Sequence, residues 1–156
     1  MAQFGVERGG FTPATTNDNW TLEANAAGEM GKIKLFSWGG RGTTSTGYRT
    51  RWTRPTTNPT GAATALTPGN TSPTVSPVCQ AVSTYATTQP TLAADPAGNL
   101  FGIDWNIVGG GGAIVLPLGG EWFVVNSATA GHGYISCRNV AGVDANLSSY
   151  GLQWEE

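Results

Sequence analysis

Glycine and proline are so frequent in this sequence that few segments remain free of both for long. The 156 residues include 23 glycines and 9 prolines. These two residues are the least compatible with a helix interior. Both are common in tight turns, because glycine supplies positive φ and proline presets the turn dihedral. We therefore expect short strands joined by many turns, and no amphipathic helix of useful length.

Between the turns, apolar residues alternate with polar ones, which is the pattern of a half-buried strand. In one segment Tyr48, Thr50 and Trp52 share a face. About eight such segments fit an all-β, antiparallel β-sandwich with a jelly-roll-like arrangement. The predicted strands are Lys32–Trp38, Gly47–Arg54, Val78–Tyr85, Leu100–Val108, Ala113–Leu118, Glu121–Ser127, His132–Arg138 and Leu147–Trp154.

The first residues differ from the rest. Residues 1–28 show no sustained period, yet they contain aromatic side chains, which a disordered tail usually lacks. We interpret them as an extended N-terminal arm that anchors through Phe4, Phe11 and Trp20, either on its own domain or on another subunit. Residues 29–156 then form the sandwich domain, with a long Pro/Thr-rich loop at 55–77.

Charge is scarce and unevenly distributed. Charged residues make up 12% of the sequence, about half the usual share, and the net charge is −2. Nucleic-acid binding is disfavoured, since it requires a surplus of Lys and Arg. No carboxylate lies between Glu29 and Asp95. That stretch contains candidate protein-interaction residues, which form either a basic docking face or plain solvated surface: Arg41, Arg49, Arg51 and Arg54.

No combination of residues indicates catalysis, so we expect neither an enzyme nor a metal or cofactor site. The only histidine, His132, lies between two glycines without a local triad pattern. Cys79 and Cys137 do not have zinc-site spacing, and we expect free thiols in a reducing cytosol. The run Gly109–Gly112 leads into a strand rather than a helix, which predicts a turn instead of a phosphate-binding loop.

Two further patterns bear on location and binding. No secretory signal follows Met1, and no segment approaches the roughly 20 apolar residues of a membrane span, so we expect no membrane contact. The 6 tryptophans lie mostly in predicted strands, and we expect them to fill the sandwich interior. A cluster of exposed tryptophans at one end of the sandwich would instead indicate a glycan-binding platform.

Several segments resemble minor structural proteins of tailed bacteriophages, and so does the low-charge, Thr/Gly/Ala-rich character of the chain. The resembling segments are Leu35–Gly40, Thr46–Pro55, Ile114–Asn126 and the closing Leu152–Glu156. The resemblance implies a virion structural protein: a capsid decoration (cement) protein, made in the host cytoplasm and bound to the outer capsid surface. It implies the major capsid protein and further copies of the chain, as a dimer or trimer, as partners. The alternative is a tail- or fibre-associated receptor- or glycan-binding module.

Overall fold

The computed structural model describes residues 2–24, 28–70, 75–92, 99–126, 132–141 and 148–156. Within these ranges the chain forms strands joined by turns and loops, without a helix. The strands are β1 (Gln3–Phe11), β2 (Trp20–Glu23), β3 (Met30–Gly40), β4 (Gly47–Thr53), β5 (Pro55–Thr57), β6 (Ala63–Ala65), β7 (Gly69–Asn70), β8 (Gln80–Tyr85), β9 (Thr91–Leu92), β10 (Asn99–Asn106), β11 (Gly111–Val115), β12 (Trp122–Val125), β13 (Tyr134–Ala141) and β14 (Ser148–Glu155).

The strands build two large antiparallel sheets. The front sheet has the order β11-β3-β14-β1-β7, with β12 pairing beside β11 along the other half of β3. The back sheet has the order β10-β4-β13-β2-β8-β6, and β5 pairs separately with β9. The predicted all-β antiparallel sandwich is therefore confirmed. A strand is present in each predicted segment, although Ser127 and Leu147, at the ends of two of them, lie outside the described residues.

Alternation along the strands explains where the core lies. Tyr48, Thr50 and Trp52 of β4 are all buried, and the core formed by the two sheets is rich in aromatic rings. The Phe36 ring of the front sheet lies 4.7 Å from the Trp52 ring of the back sheet, measured between centroids. The prediction that tryptophans fill the interior is confirmed. Four are buried and two are half-buried: Trp20, Trp52, Trp105 and Trp154, then Trp38 and Trp122.

A polar network inside the core connects the two sheets. Tyr150 of β14 donates its hydroxyl hydrogen to Asn139 Oδ1 of β13 at 2.6 Å. Thr50 of β4 donates to the same oxygen at 2.8 Å, and Trp105 Nε1 donates to Thr50 Oγ1 at 2.9 Å. Asn139 Oδ1 therefore joins β4, β13 and β14 in one buried hydrogen-bond network, while Asn139 Nδ2 has no hydrogen-bond partner among the described residues.

The structure differs from the predicted N-terminal arm. Residues 2–24 belong to the sandwich itself, because β1 lies between β14 and β7 in the front sheet and β2 lies between β13 and β8 in the back sheet. Two of the anchoring aromatic side chains, Phe4 and Trp20, are buried in the chain's own core, and Phe11 is half-buried against it. Of the two alternatives for the aromatic anchors, the structure supports attachment to the chain's own domain.

The Pro/Thr-rich segment at 55–77 also differs from a simple loop. It contains the short strands β5, β6 and β7, each of which pairs with a strand distant in sequence. Prolines at the segment's turns keep these strands short, because proline cannot donate to a strand ladder. The segment therefore extends both large sheets and adds a small layer outside the back sheet.

Candidate interaction surface

Part of the outer face of the back sheet is covered by the chain itself. Thr21, Ser136 and Arg138 alternate with core residues along β2 and β13, so their side chains point away from the core. All three are nevertheless buried. The β5–β9 layer lies beside β13, and the Pro90 carbonyl accepts a hydrogen bond from Arg138 Nη2 at 2.8 Å. This face is closed to partners around these residues.

A buried ion pair lies at the centre of this closed face. Arg138 Nε donates to Asp18 Oδ1 at 2.6 Å, and both side chains are almost fully buried. Burial raises the pKa of Asp18, and the Arg138 charge and hydrogen bonds from neighbouring hydroxyls oppose that rise. Beside the pair, Tyr85 donates to Glu23 Oε2 at 2.6 Å, and burial followed by the Glu23 charge raises the pKa of Tyr85.

The outer face of the front sheet is open. An elongated cavity of about 680 Å³, which we call the front groove, crosses β1, β14, β3 and β11. Small residues form its floor and amide side chains its walls. These lining residues are Gly5, Ser37 and Gly151 on the floor, with Gln3 and Gln153 beside them. A Cβ atom on Gly151 would meet Ser37 Oγ, so a larger residue at this position of the floor requires the Ser37 hydroxyl to rotate away.

Charges at one end of the front groove compensate one another. Lys34 Nζ lies 2.9 Å from Glu121 Oε1 and 3.7 Å from Glu155 Oε2. The hydrogen bond from Lys34, together with backbone amides that include Gly119 N, lowers the pKa of Glu121 to about 2. The groove lining is mixed, because Leu35 and Val115 contribute apolar surface beside the amide and charged side chains.

The three aromatic residues predicted as anchors, on the chain's own domain or on another subunit, are engaged within the chain. Phe4 is buried and stacks on Trp154 with ring centroids 5.6 Å apart. Trp20 is completely buried. Phe11 is half-buried against Tyr150, at 5.9 Å between ring centroids. Because β1 and β2 are integral strands, Phe4 and Trp20 are core residues, and this corrects their assignment as docking residues.

The predicted arginine face is divided by the fold. Arg41 and Arg49 are exposed, and Arg49 Nε lies 3.9 Å from Asp104 Oδ1. Arg51 is buried, and its Nε donates to Asn99 Oδ1 at 2.6 Å. Arg54 is half-buried and donates to the backbone carbonyl oxygens of β12 and of the turn before β13. Alternation along β4 places Arg49 and Arg51 on one face, but the chain covers part of that face.

The remaining candidate residues show no arrangement for chemistry. His132 is exposed, beside a cavity of about 210 Å³ that Arg54, Phe123 and Val125 also line. Cys79 and Cys137 are free and buried, and burial raises the pKa of Cys79 to about 12. In the part of the chain that the structure describes, no three His, Cys, Asp or Glu side chains are grouped to hold a metal ion. No helix among those residues is long and apolar enough to cross a membrane.

Sequence reasoning missed the front groove because glycines obscure the pattern of β1. Phe4 and Val6 alternate with the groove-facing Gly5, so the segment is a strand with one apolar face and one nearly bare face. Because Gly9 and Gly10 also belong to this strand, the segment resembles a loop in the sequence.

Comparison with known protein families, characterised proteins and solved structures finds no match to this chain.

Proposed function

We propose that this chain is a virion structural protein that decorates the outer surface of a tailed-phage capsid, with the front groove as its docking surface. The proposed partner is the major capsid protein. The observation that carries the proposal is the difference between the two outer faces. The chain's own segments bury Arg138 and Asp18 on the back sheet, whereas the groove on the front sheet lies open.

The strand pairings support a jelly-roll arrangement, which is part of the proposal. The first strand, β1, pairs with the last, β14, and β2 pairs with β13. Further in, β3 pairs with β11 and β12, and β4 pairs with β10. These nested pairs form one long hairpin rolled into two sheets. In addition, β14 pairs with β3, and β13 pairs with β4. Jelly rolls are common in capsid proteins and in lectins, so the topology agrees with the proposal without deciding it.

The chemistry of the groove fits a weak, repeated protein contact. Glycine and serine residues of β1, β3 and β14 line its floor, and the exposed Gln153 carries both a donor and an acceptor. A single contact of this kind, with compensated charges at its end, is expected to be modest. Repetition of modest contacts over a capsid lattice gives high overall avidity.

Co-sedimentation with DNA-free heads of the phage that encodes the chain tests the proposal. We expect the wild-type protein to sediment with the heads. Gln153→Arg is expected to weaken binding roughly tenfold, equal to about 1.4 kcal/mol, because a long cationic side chain fills the groove. The matched control is Thr64→Arg, which adds the same charge at an exposed position of β6, on the far edge of the back sheet.

Different results contradict different parts of the proposal. Equal binding by Gln153→Arg and the wild type would remove the groove from the contact. Failure of the wild type to bind heads, or a gene outside any phage or prophage genome, would overturn the capsid function. Binding to a glycan array that Gln153→Arg abolishes would instead favour the receptor- or glycan-binding alternative.

A further inference from the structure

The free edge of the front sheet lies at β11. This strand pairs with β3 on one side, and no strand among the described residues pairs with it on the other. Gly40 N donates to Gly110 O, and Leu116 N donates to Lys34 O, so even-numbered residues direct their backbone groups toward β3. Backbone groups alternate in direction along an antiparallel strand. Gly111, Ala113 and Val115 therefore present their N–H and C=O groups at the open edge.

This edge lacks the features with which proteins usually block edge pairing. Natural edge strands are protected by charged side chains, by proline, by bulges or by very short length. Gly111–Val115 contains no charge and no proline, and its register with β3 is continuous. No Lys, Arg, Asp or Glu occurs between Asp104 and Glu121. The opposite edge of the front sheet, β7, is only 2 residues long.

We propose that β11 pairs with β11 of a second copy of this chain, antiparallel and about a two-fold axis at Ala113. This register sets Ala113 opposite its own copy and Gly111 opposite Val115, so that the outward backbone groups of the two strands meet. About six interchain hydrogen bonds form in this way. The same surface patch is used on both copies, as a two-fold dimer requires.

Side-chain sizes in β11 suit this self-pairing. The order Gly-Gly-Ala-Ile-Val places Ile114 opposite Gly112 and Val115 opposite Gly111, so each branched side chain faces a glycine of the other copy. Two apolar residues, Val108 and Leu118, lie in the turns on either side of β11. Both are unusually exposed for apolar residues, at 47% and 89%.

The absence of charge in this segment favours a second copy over another partner. A two-fold contact brings each charge close to its own duplicate, which is repulsive, and residues 105–120 contain none. Pairing also joins two front sheets into one, with both front grooves on the same side. The inference does not depend on capsid binding, although two grooves on one side would raise avidity for a lattice.

Sedimentation analysis of the purified protein, without capsids, tests the dimer. The wild type is expected to shift from monomer to dimer as its concentration rises through the micromolar range. Ala113→Pro removes an outward N–H while leaving the bonds to β3 intact, and proline is tolerated at such edge positions. We expect it to weaken dimerisation at least about tenfold. Ala113→Val, which keeps the N–H, is the matched control, and thermal unfolding verifies that both variants fold.

Disulfide formation tests the register independently. Residues in a hydrogen-bonded antiparallel pair have Cα atoms about 5.5 Å apart, within disulfide range. Ala113→Cys is therefore expected to cross-link to its own copy under mild oxidation. Val115→Cys is expected to stay unlinked, since the two copies of that residue lie about 14 Å apart in this register. A monomer at all concentrations, a trimer, an unaffected Ala113→Pro dimer, or equal cross-linking of both cysteine variants would overturn the proposal.

Discussion

Two charged residues on the closed face of the back sheet are buried, although charged side chains usually lie in solvent. Arg138 and Asp18 point away from the core, where a sequence pattern assigns them to solvent, yet both are buried beneath the chain's own segments. Their charges are compensated by each other and by nearby backbone and hydroxyl groups. Such a pair is costly to break, because removing one partner leaves the other charged and buried.

We expect Asp18→Asn to destabilise the protein by about 3–5 kcal/mol, because it leaves the Arg138 guanidinium buried without its counter-ion. Urea unfolding at neutral pH measures the change. Asp104→Asn is the matched control, since it breaks the exposed pair with Arg49, and it is expected to cost less than about 1 kcal/mol. Equal losses in the two variants would contradict the assignment of Asp18 to a buried pair.

The ion pair at the end of the front groove predicts a dependence on acidity. The pKa of Glu121 is lowered from 4.5 to about 2 in the folded protein, so its stabilising effect is complete above pH 4.5 and is lost as pH falls toward 2. We expect Glu121→Gln to lower the Tm at pH 7 and to have little effect near pH 2. Thermal unfolding between these limits measures the difference.

A double variant identifies the partner responsible for this effect. In a Lys34→Met background the first cause of the lowered pKa is absent, so Glu121→Gln is expected to change the Tm less than it does in the wild type. A Tm difference between Glu121→Gln and the wild type that is equally large at pH 7 and pH 2 would contradict the pairing.

At the scale of the strands, alternation predicted the strands between residues 32 and 154 that carry a long or apolar-rich pattern, and it missed β1 and β2. A strand occupies every segment where apolar residues alternate with polar ones, such as β4 and β14. By contrast β2 is buried on both faces, because Thr21 and Glu23 are covered by the chain itself, and its alternation spans only 4 residues, which is too short to distinguish it from a loop in the sequence. In β1 the glycines that open the front groove remove the contrast between its two faces.

Two glycines at strand ends differ in the space around them, so that one of them has no room for a side chain and the other does. A Cβ atom on Gly40, at the end of β3, would lie 2.4 Å from the Ile107 carbonyl oxygen, whereas one on Gly47, at the start of β4, meets no atom within 4 Å. We expect Gly40→Ala to cost about 1–3 kcal/mol or more through overpacking. Gly47→Ala is expected to be neutral or slightly stabilising. Urea unfolding measures the stability of the two variants, and equal stability would contradict the close approach of Gly40 to Ile107.

At the scale of the molecule, the strand order has no local signature. The strands at the two ends of the chain are hydrogen-bonded to each other, and Ala2 and Glu156 exchange backbone hydrogen bonds of 3.1 and 3.0 Å. Both the front groove and the closed back face are assembled from strands far apart in sequence. Periodicity indicates which residues of a strand share a face, but it does not indicate which strands become neighbours. The fold class was therefore predictable, and the candidate surface was not.

The position of β1 gives a decisive test of whether the N-terminal segment is an arm or a structural strand. Removal of residues 1–11 takes Phe4 and Val6 out of the core and exposes one whole edge of β14. We expect the truncated protein to lose cooperative unfolding and near-ultraviolet circular dichroism. An excess of a peptide spanning residues 2–11 is expected to restore both by strand addition, while a peptide of the same composition in scrambled order has no effect. A truncated protein that unfolds cooperatively without the peptide would indicate that this segment is an arm and not a structural strand.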